Sequence, residues 1–169
     1  MLVSLFVVKP SHAQMSSASA TPTVIQGITY ELAYPGLLPD HPLYFFKVIR
    51  DKVVSLLIND PSKRAEFNLL TSDKRFNSAI YLIEKGKQEK AIDTLSKSNN
   101  YLHDSIVSLE KAASMDRDVN SLRDNTRVAI DKRLEIMNGL INEMPDSLKD
   151  SLKLEVKRIM MLKERLNSL

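Results

Sequence analysis

The side chains able to do chemistry are few and scattered. The 169 residues contain no cysteine, which removes thiol nucleophiles, disulfide frameworks and Cys-based zinc sites together. Of three histidines, His41 stands beside Asp40 and Pro42, and His103 stands mid-helix beside Asp104. One imidazole next to one carboxylate is a poor metal site, and its ordinary role is a solvated or hydrogen-bonded side chain. No His-Glu-x-x-His occurs, nor the Glu-x-x-His pair of di-iron bundles. Asp116-Arg117-Asp118-Val119-Asn120 copies the opening of a calcium loop. Its sixth position, which needs glycine, is Ser121, and its twelfth, which needs a bidentate glutamate, is the cation Arg127. Two aspartates competing to cap a helix explain the stretch better. The glycines, at 27, 36, 86 and 139, are too far apart for a phosphate-cradling loop or a nucleophile elbow. These absences point away from an enzyme, and no cofactor is expected.

Two further patterns invite a binding role. Lys149, Lys153 and Lys157 step by four along the last helix, near Arg158, Lys163 and Arg165. No aromatic residue is interleaved to stack a base, and Asp150, Glu155 and Glu164 dilute the field, so a solvated helix face is the simpler account. With 24 basic against 21 acidic side chains, a net charge of +3 advertises neither nucleic acid nor a membrane surface. Met137, Met144, Met160 and Met161 concentrate in the last third. They could present soft sulfur to a metal or an adaptable surface to a client, although helical spacing favours core filling.

The elements that must position these residues are legible in order. Leu2 to Val8 form an apolar run, broken by Pro10 and followed by small residues at Ser11 and Ala13. This is the pattern of a signal peptide cut after Ala13, with Ala20 as second choice. The basic end is missing and Lys9 lies on the wrong side, so residues 1–13 read as a truncated signal peptide whose start lies upstream. The alternative is a frayed apolar N-terminus of a cytosolic protein. Residues 14–27 are small and polar, a disordered linker. Over 28–39, Ile28, Tyr30, Leu32 and Tyr34 alternate with polar and small residues before Pro35-Gly36 turns the chain. With no second strand to pair with, this segment is expected to lie as an extended strap across helices, aromatic face down.

From Asp40 to Leu169 everything reads as helix. Four glycines and seven prolines are too few for a turn-rich β fold, and no proline falls between Pro61 and Pro145. Asp40 can cap a first helix with Pro42 in its first turn, and Phe45, Phe46, Ile49, Val53, Leu56 and Leu57 form its apolar stripe. Asp60-Pro61 restarts a second helix whose stripe Ala65, Leu69, Ser72, Phe76, Ala79, Ile83 is a heptad seam with one polar interruption. Gly86 fits the left-handed position after its end. Ala91, Leu95, Leu102, Ile106, Leu109 and Ala113 mark the third helix. Leu122, Ala129, Ile130, Ile136, Met137, Leu140 and Ile141 mark the fourth. The fifth, with Ser147 and Asp150 as a capping box, carries Leu148, Leu152, Glu155, Ile159, Leu162 and Leu166. Long helices joined by short links predict an all-α fold, an antiparallel bundle of four to five long helices preceded by the strap. The alternative for 118–169 is a hairpin that projects from the bundle. No transmembrane helix is expected in the mature form.

The stretch Tyr30 to Asp51, YELAYPGLLPDHPLYFFKVIRD, resembles the signature of a bacterial domain of unknown function found in exported proteins, many from small-genome uncultured lineages. The restart Asp60-Pro61-Ser62-Lys63-Arg64-Ala65-Glu66 and the landmarks Asp73-Lys74-Arg75 and Glu84-Lys85-Gly86-Lys87 extend the likeness to about Tyr30–Leu109. The resemblance implies an exported helical domain without established catalytic residues. The signature positions Tyr34, Pro35, Gly36, Leu38, Pro39, Asp40, Pro42, Leu43, Tyr44, Lys47, Asp60, Pro61 and Gly86 read as structural. Tyr34, Leu38, Tyr44 and Phe45 are expected to anchor the strap, and Asp40 and Pro42 to fix the helix entry. The expectation is a noncatalytic exported interaction or structural module, partnered by another envelope or secreted protein. The alternative is a periplasmic chaperone-like or soft-metal sensor protein. Processing as read here gives an extracytoplasmic chain whose intact mass corresponds to a start at Gln14. An uncut Met1 in the cytoplasm, with the upstream start restored, would contradict it.

Overall fold

The computed structural model describes residues 29–169, so the expected signal peptide, the linker and Ile28 lie outside the described residues. Five helices follow the strap: α1 Tyr44–Leu57, α2 Pro61–Glu84, α3 Gln88–Ala113, α4 Asn120–Leu140 and α5 Asp146–Asn167. No strand occurs among the described residues.

The α2–α3 pair is built on small residues. Ala65, Ser72 and Ala79 recur at heptad spacing along α2, and Ala91, Ser98 and Ser105 recur at the same spacing along α3; all six are fully buried. Without bulky side chains on this seam the two backbones approach closely enough for hydroxyls to bridge them. The Ser72 hydroxyl donates to the Ser98 carbonyl at 2.7 Å, and the Ser98 hydroxyl donates to the Ser72 carbonyl at 2.8 Å. Ser105 repeats the motif on the carbonyl of Ala65 at 2.8 Å. One heptad up α2 matches one heptad down α3, which sets Ala79 opposite Ala91 and the turn at Gly86. There Gly86 takes φ +71°. Its N–H donates to Ile83, and the Lys87 N–H donates to Leu82, both at 2.8 Å, the paired closure that glycine permits after a helix. The polar interruption in the heptad seam is thus its register pin.

The second hairpin packs beside the first. Leu152, Ile159 and Leu166 of α5 and Ala129, Ile130 and Met137 of α4 share one buried cluster with Leu69, Phe76, Leu95 and Ile106. Neighbouring helices run α2, α3, α5, α4 around that core. Within each hairpin the helices are antiparallel. Across the hairpins α3 and α5 run the same way, since Asn99 meets Glu155 and Glu110 meets Arg165 further along both. Segment 118–169 lies against the α2–α3 pair and does not stand off from it.

Several local expectations need correction. Asp40 does not cap: α1 begins at Tyr44 with Leu43 at the N-cap and no side-chain bond there. The Leu43 N–H is taken by His41 Nδ1 at 3.1 Å. Asp60 does cap α2, accepting from the Lys63 N–H at 3.1 Å with Pro61 in the first turn. Ser147 and Asp150 form no capping box, because α5 starts at Asp146 directly behind Pro145. Asp116 serves as the left-handed residue after α3, at φ +56°, and Asp118 accepts from the Asn120 N–H at 3.0 Å. At the helix ends, Leu82 and Ala112 are fully buried where the sequence pattern placed Ile83 and Ala113. Replacing Ser72 by leucine forces a branched side chain into the closest helix contact. We expect a stability loss of about 1–3 kcal/mol, read as a lower urea midpoint at unchanged slope.

Candidate functional site

Two groups of residues hold the N-terminal segment against the bundle, and both are polar. The first starts from Arg133, which is fully buried on α4. Its guanidinium donates to Asp73 Oδ1 at 2.7 Å and lies over the Phe76 ring, 5.4 Å from the centroid. The other oxygen of Asp73 accepts the Tyr30 hydroxyl at 2.6 Å, so a strap residue closes onto an ion pair between α2 and α4. Burial, followed by the hydrogen bond to Asp73, raises the Tyr30 phenol well above its usual range. A buried pair of this kind is costly to break, because the surviving charge has no water to turn to.

The second group fixes α1. Arg75 is buried on α2, donates to the Tyr44 hydroxyl at 2.8 Å and stacks over Tyr101 of α3, 4.8 Å from the ring centre. Lys47 reaches back to the strap and donates to the carbonyls of Pro35 and Leu37. Burial lowers the Lys47 ammonium below the ordinary lysine range. Asp40 accepts from Lys87 at 2.6 Å and lies 3.5 Å from Lys85, which ties the segment before α1 to the α2–α3 turn. The Lys87 hydrogen bond pulls the Asp40 carboxyl below its usual value.

The consequence is an inverted helix. On α1, Tyr44, Val48, Asp51 and Ser55 recur at helical spacing and face the bundle, half-buried or buried. The apolar stripe faces the other way: Phe45 is 65% exposed, Phe46 66% and Leu57 74%, with Ile49 and Val53 exposed beside them. The stripe read from sequence is therefore real, but it does not pack on the bundle. Phe45 anchors nothing, and Tyr34, 77% exposed, turns outward while Tyr30 and Leu32 pack on the core. Between strap and α1 lies an open groove of about 680 Å³, lined by Tyr34, Pro35, Gly36, Leu37, Leu43 and Phe46 with Lys47, Arg50 and Lys74. Of the signature positions, Leu38 and Pro39 are half-buried beside it, and Pro42 is exposed. Asp60, Pro61 and Gly86 sit at the ends of α2, away from the groove.

The other candidates disperse. His103 Nδ1 lies 3.3 Å from Asp104 and its Nε2 lies 3.1 Å from Arg165, whose guanidinium bonds both oxygens of Glu110. Among the described residues no group of three or more His, Cys, Asp or Glu side chains is placed to hold a metal ion. Met137 and Met144 are in the core while Met160 and Met161 are exposed, so the four do not line one groove. On α5, Lys149 and Lys153 pair with Asp146 and Asp150 at 2.7 and 3.1 Å. A second groove of about 640 Å³ between α1, α2 and α3 carries Lys52, Arg64, Asn68, Tyr101 and Asp104, with Val107 beside them.

Sequence reasoning missed Arg133 and the Asn99–Glu155 bond, in which the amide donates to Oε2 at 2.7 Å. The signal for Arg133 was available: it sits one turn from both Ala129 and Met137 on the stripe of α4, where a charge demands a buried partner.

A family model described as a domain of unknown function (DUF5667) matches residues 36–158. The match runs from the strap into α5, further along the chain than the landmarks up to Leu109. No curated protein and no solved structure matches the chain. No helix among the described residues is long and apolar enough to cross a membrane. Removing the Asp73 carboxylate as Asp73→Ala strands Arg133 in the core, and a loss of about 3–5 kcal/mol is expected. Tyr30→Phe, which removes one hydrogen bond to the same carboxylate, is expected to cost about 1–2 kcal/mol; chemical denaturation of both variants checks the order.

Proposed function

The chain belongs to the DUF5667 family of domains of unknown function, and from that premise we propose that it is a noncatalytic, exported helical interaction module. It docks onto another component of the envelope, or onto a secreted protein, through the strap and α1. The observation that carries this reading is the outward apolar face of α1. A solvent-facing helix ordinarily turns polar residues to water and apolar ones to the core. Here the inner face is held by Tyr44, Lys47 and the Arg75 stack, while Phe45, Phe46, Val53 and Leu57 stand in solvent. Contiguous apolar surface of this kind marks an interaction site. Export is supported by the apolar run Leu2–Val8 with Ser11 and Ala13 behind it, and the chain's charge balance suits a secreted or envelope setting without nucleic acid.

Because these side chains contribute little to the core, they can be changed without unfolding the bundle. The double variant Phe46→Asp, Val53→Asp is expected to keep the helical circular dichroism spectrum and the thermal midpoint of the parent. It is expected to leave the envelope fraction of the producing cell and appear in the soluble extracytoplasmic fraction. A variant that stays in the envelope fraction as the parent does would remove α1 as the docking face.

A further inference from the structure

The charges around the outward face narrow its partner. The charged side chains carried by α1 are Lys47, Arg50, Asp51 and Lys52, and the strap groove beside it adds Lys74. The single carboxylate, Asp51, is only 8% exposed and is bonded by Arg50 at 2.8 Å. What α1 shows to solvent is thus an apolar arc with a basic border. A second copy of the chain is a poor occupant, since face-to-face pairing would bring two basic borders together. An anionic partner answers both features at once.

The shape of the face favours a lipid surface over a folded protein. The helix spans 14 residues, about 21 Å at the standard rise. Phe45 and Leu57 protrude from the surface, and Phe46 forms the rim of the open strap groove with Tyr34 beside the same end. Aromatic and aliphatic side chains on one arc, cations at its edges and too short a span to cross a bilayer describe a helix that lies in the headgroup region. We propose that α1, with the adjoining strap, is an interfacial anchor that lays Phe45, Phe46, Ile49, Val53 and Leu57 into the surface of an anionic bilayer, while Arg50, Lys52 and Lys74 meet its phosphates. The inference rests on the docking reading above and names the partner of the same face. Long basic side chains keep their heads at the phosphate level while their stems cover apolar surface, so the border and the arc act together.

The test uses the full gene product, processed by its expression host, and sedimentation with vesicles of phosphatidylcholine alone or mixed with phosphatidylglycerol. Binding to the phosphatidylglycerol vesicles is expected to exceed that to phosphatidylcholine by about tenfold or more and to weaken as salt screens the basic border. Arg50→Gln and Lys52→Gln are each expected to weaken it about fivefold. Phe46→Asp with Val53→Asp is expected to abolish it at an unchanged circular dichroism spectrum. Equal binding to both vesicle types, or binding indifferent to the Phe46 and Val53 changes, overturns the lipid assignment. No vesicle binding, with the double variant still lost from the envelope fraction, also overturns it and leaves the docking reading standing with an envelope protein as partner. No vesicle binding and no change in fractionation sinks both.

Discussion

Everything in this fold depends on how closely α2 and α3 approach. A seam of alanine and serine lets the two backbones come near, and two serine hydroxyls that would be costly if unpaired are each paired with the opposite helix's carbonyl. The bonds are worth little in net energy, but a slip of register would leave buried donors and acceptors without partners. Leucine at these positions could accept several registers; serine accepts few. Gly86, in the left-handed conformation, closes the turn where this register requires it.

Once the register is fixed, residues flanking the seam are aimed. Asp73, next to Ser72, reaches Arg133 on α4 and collects the Tyr30 hydroxyl from the strap. Arg75 points between Tyr44 and Tyr101 and holds α1 by a hydrogen bond and ring stacking. Asn99, next to Ser98, reaches Glu155 on α5. The second hairpin, the strap and the first helix are therefore all located by polar groups on the α2–α3 pair. Apolar burial supplies the bulk of the driving force inside the four-helix core, and these polar contacts decide which element goes where.

The first helix shows what that division permits. Its tethers are polar, Tyr44 to the bundle and Lys47 to the strap, so Phe45, Phe46, Ile49, Val53 and Leu57 are not consumed by folding. A helix held through its polar side can keep an apolar side for a partner without putting the core at risk. The arrangement places the exposed apolar surface on an element that adds little to the central cluster.

Sequence alone determined the class of fold, because helical periodicity, scarce glycine and proline, and caps such as Asp60-Pro61 and the Gly86 turn are local properties of a chain. It determined the buried faces of α2, α3 and α5 closely, Glu155 included, since a residue recurring every three or four positions on a helix must share its neighbours' environment. What it could not decide was direction. The stripe of α1 was as clear as any other, yet periodicity states that a helix has an apolar face and not whether that face finds the core. Tyr34 and Phe45 were read inward by the same logic and point outward. Asp40 and Asp116 had suitable chemistry for caps but were drawn into a long-range ion pair with Lys87 and a left-handed turn. Arg133 became a core residue because Asp73 lies opposite it, sixty positions away in sequence. Only tertiary structure brings together groups that far apart, and the outward face of α1 exists because Arg75 on α2 takes hold of Tyr44 on its other side while Lys87 holds Asp40 just before it.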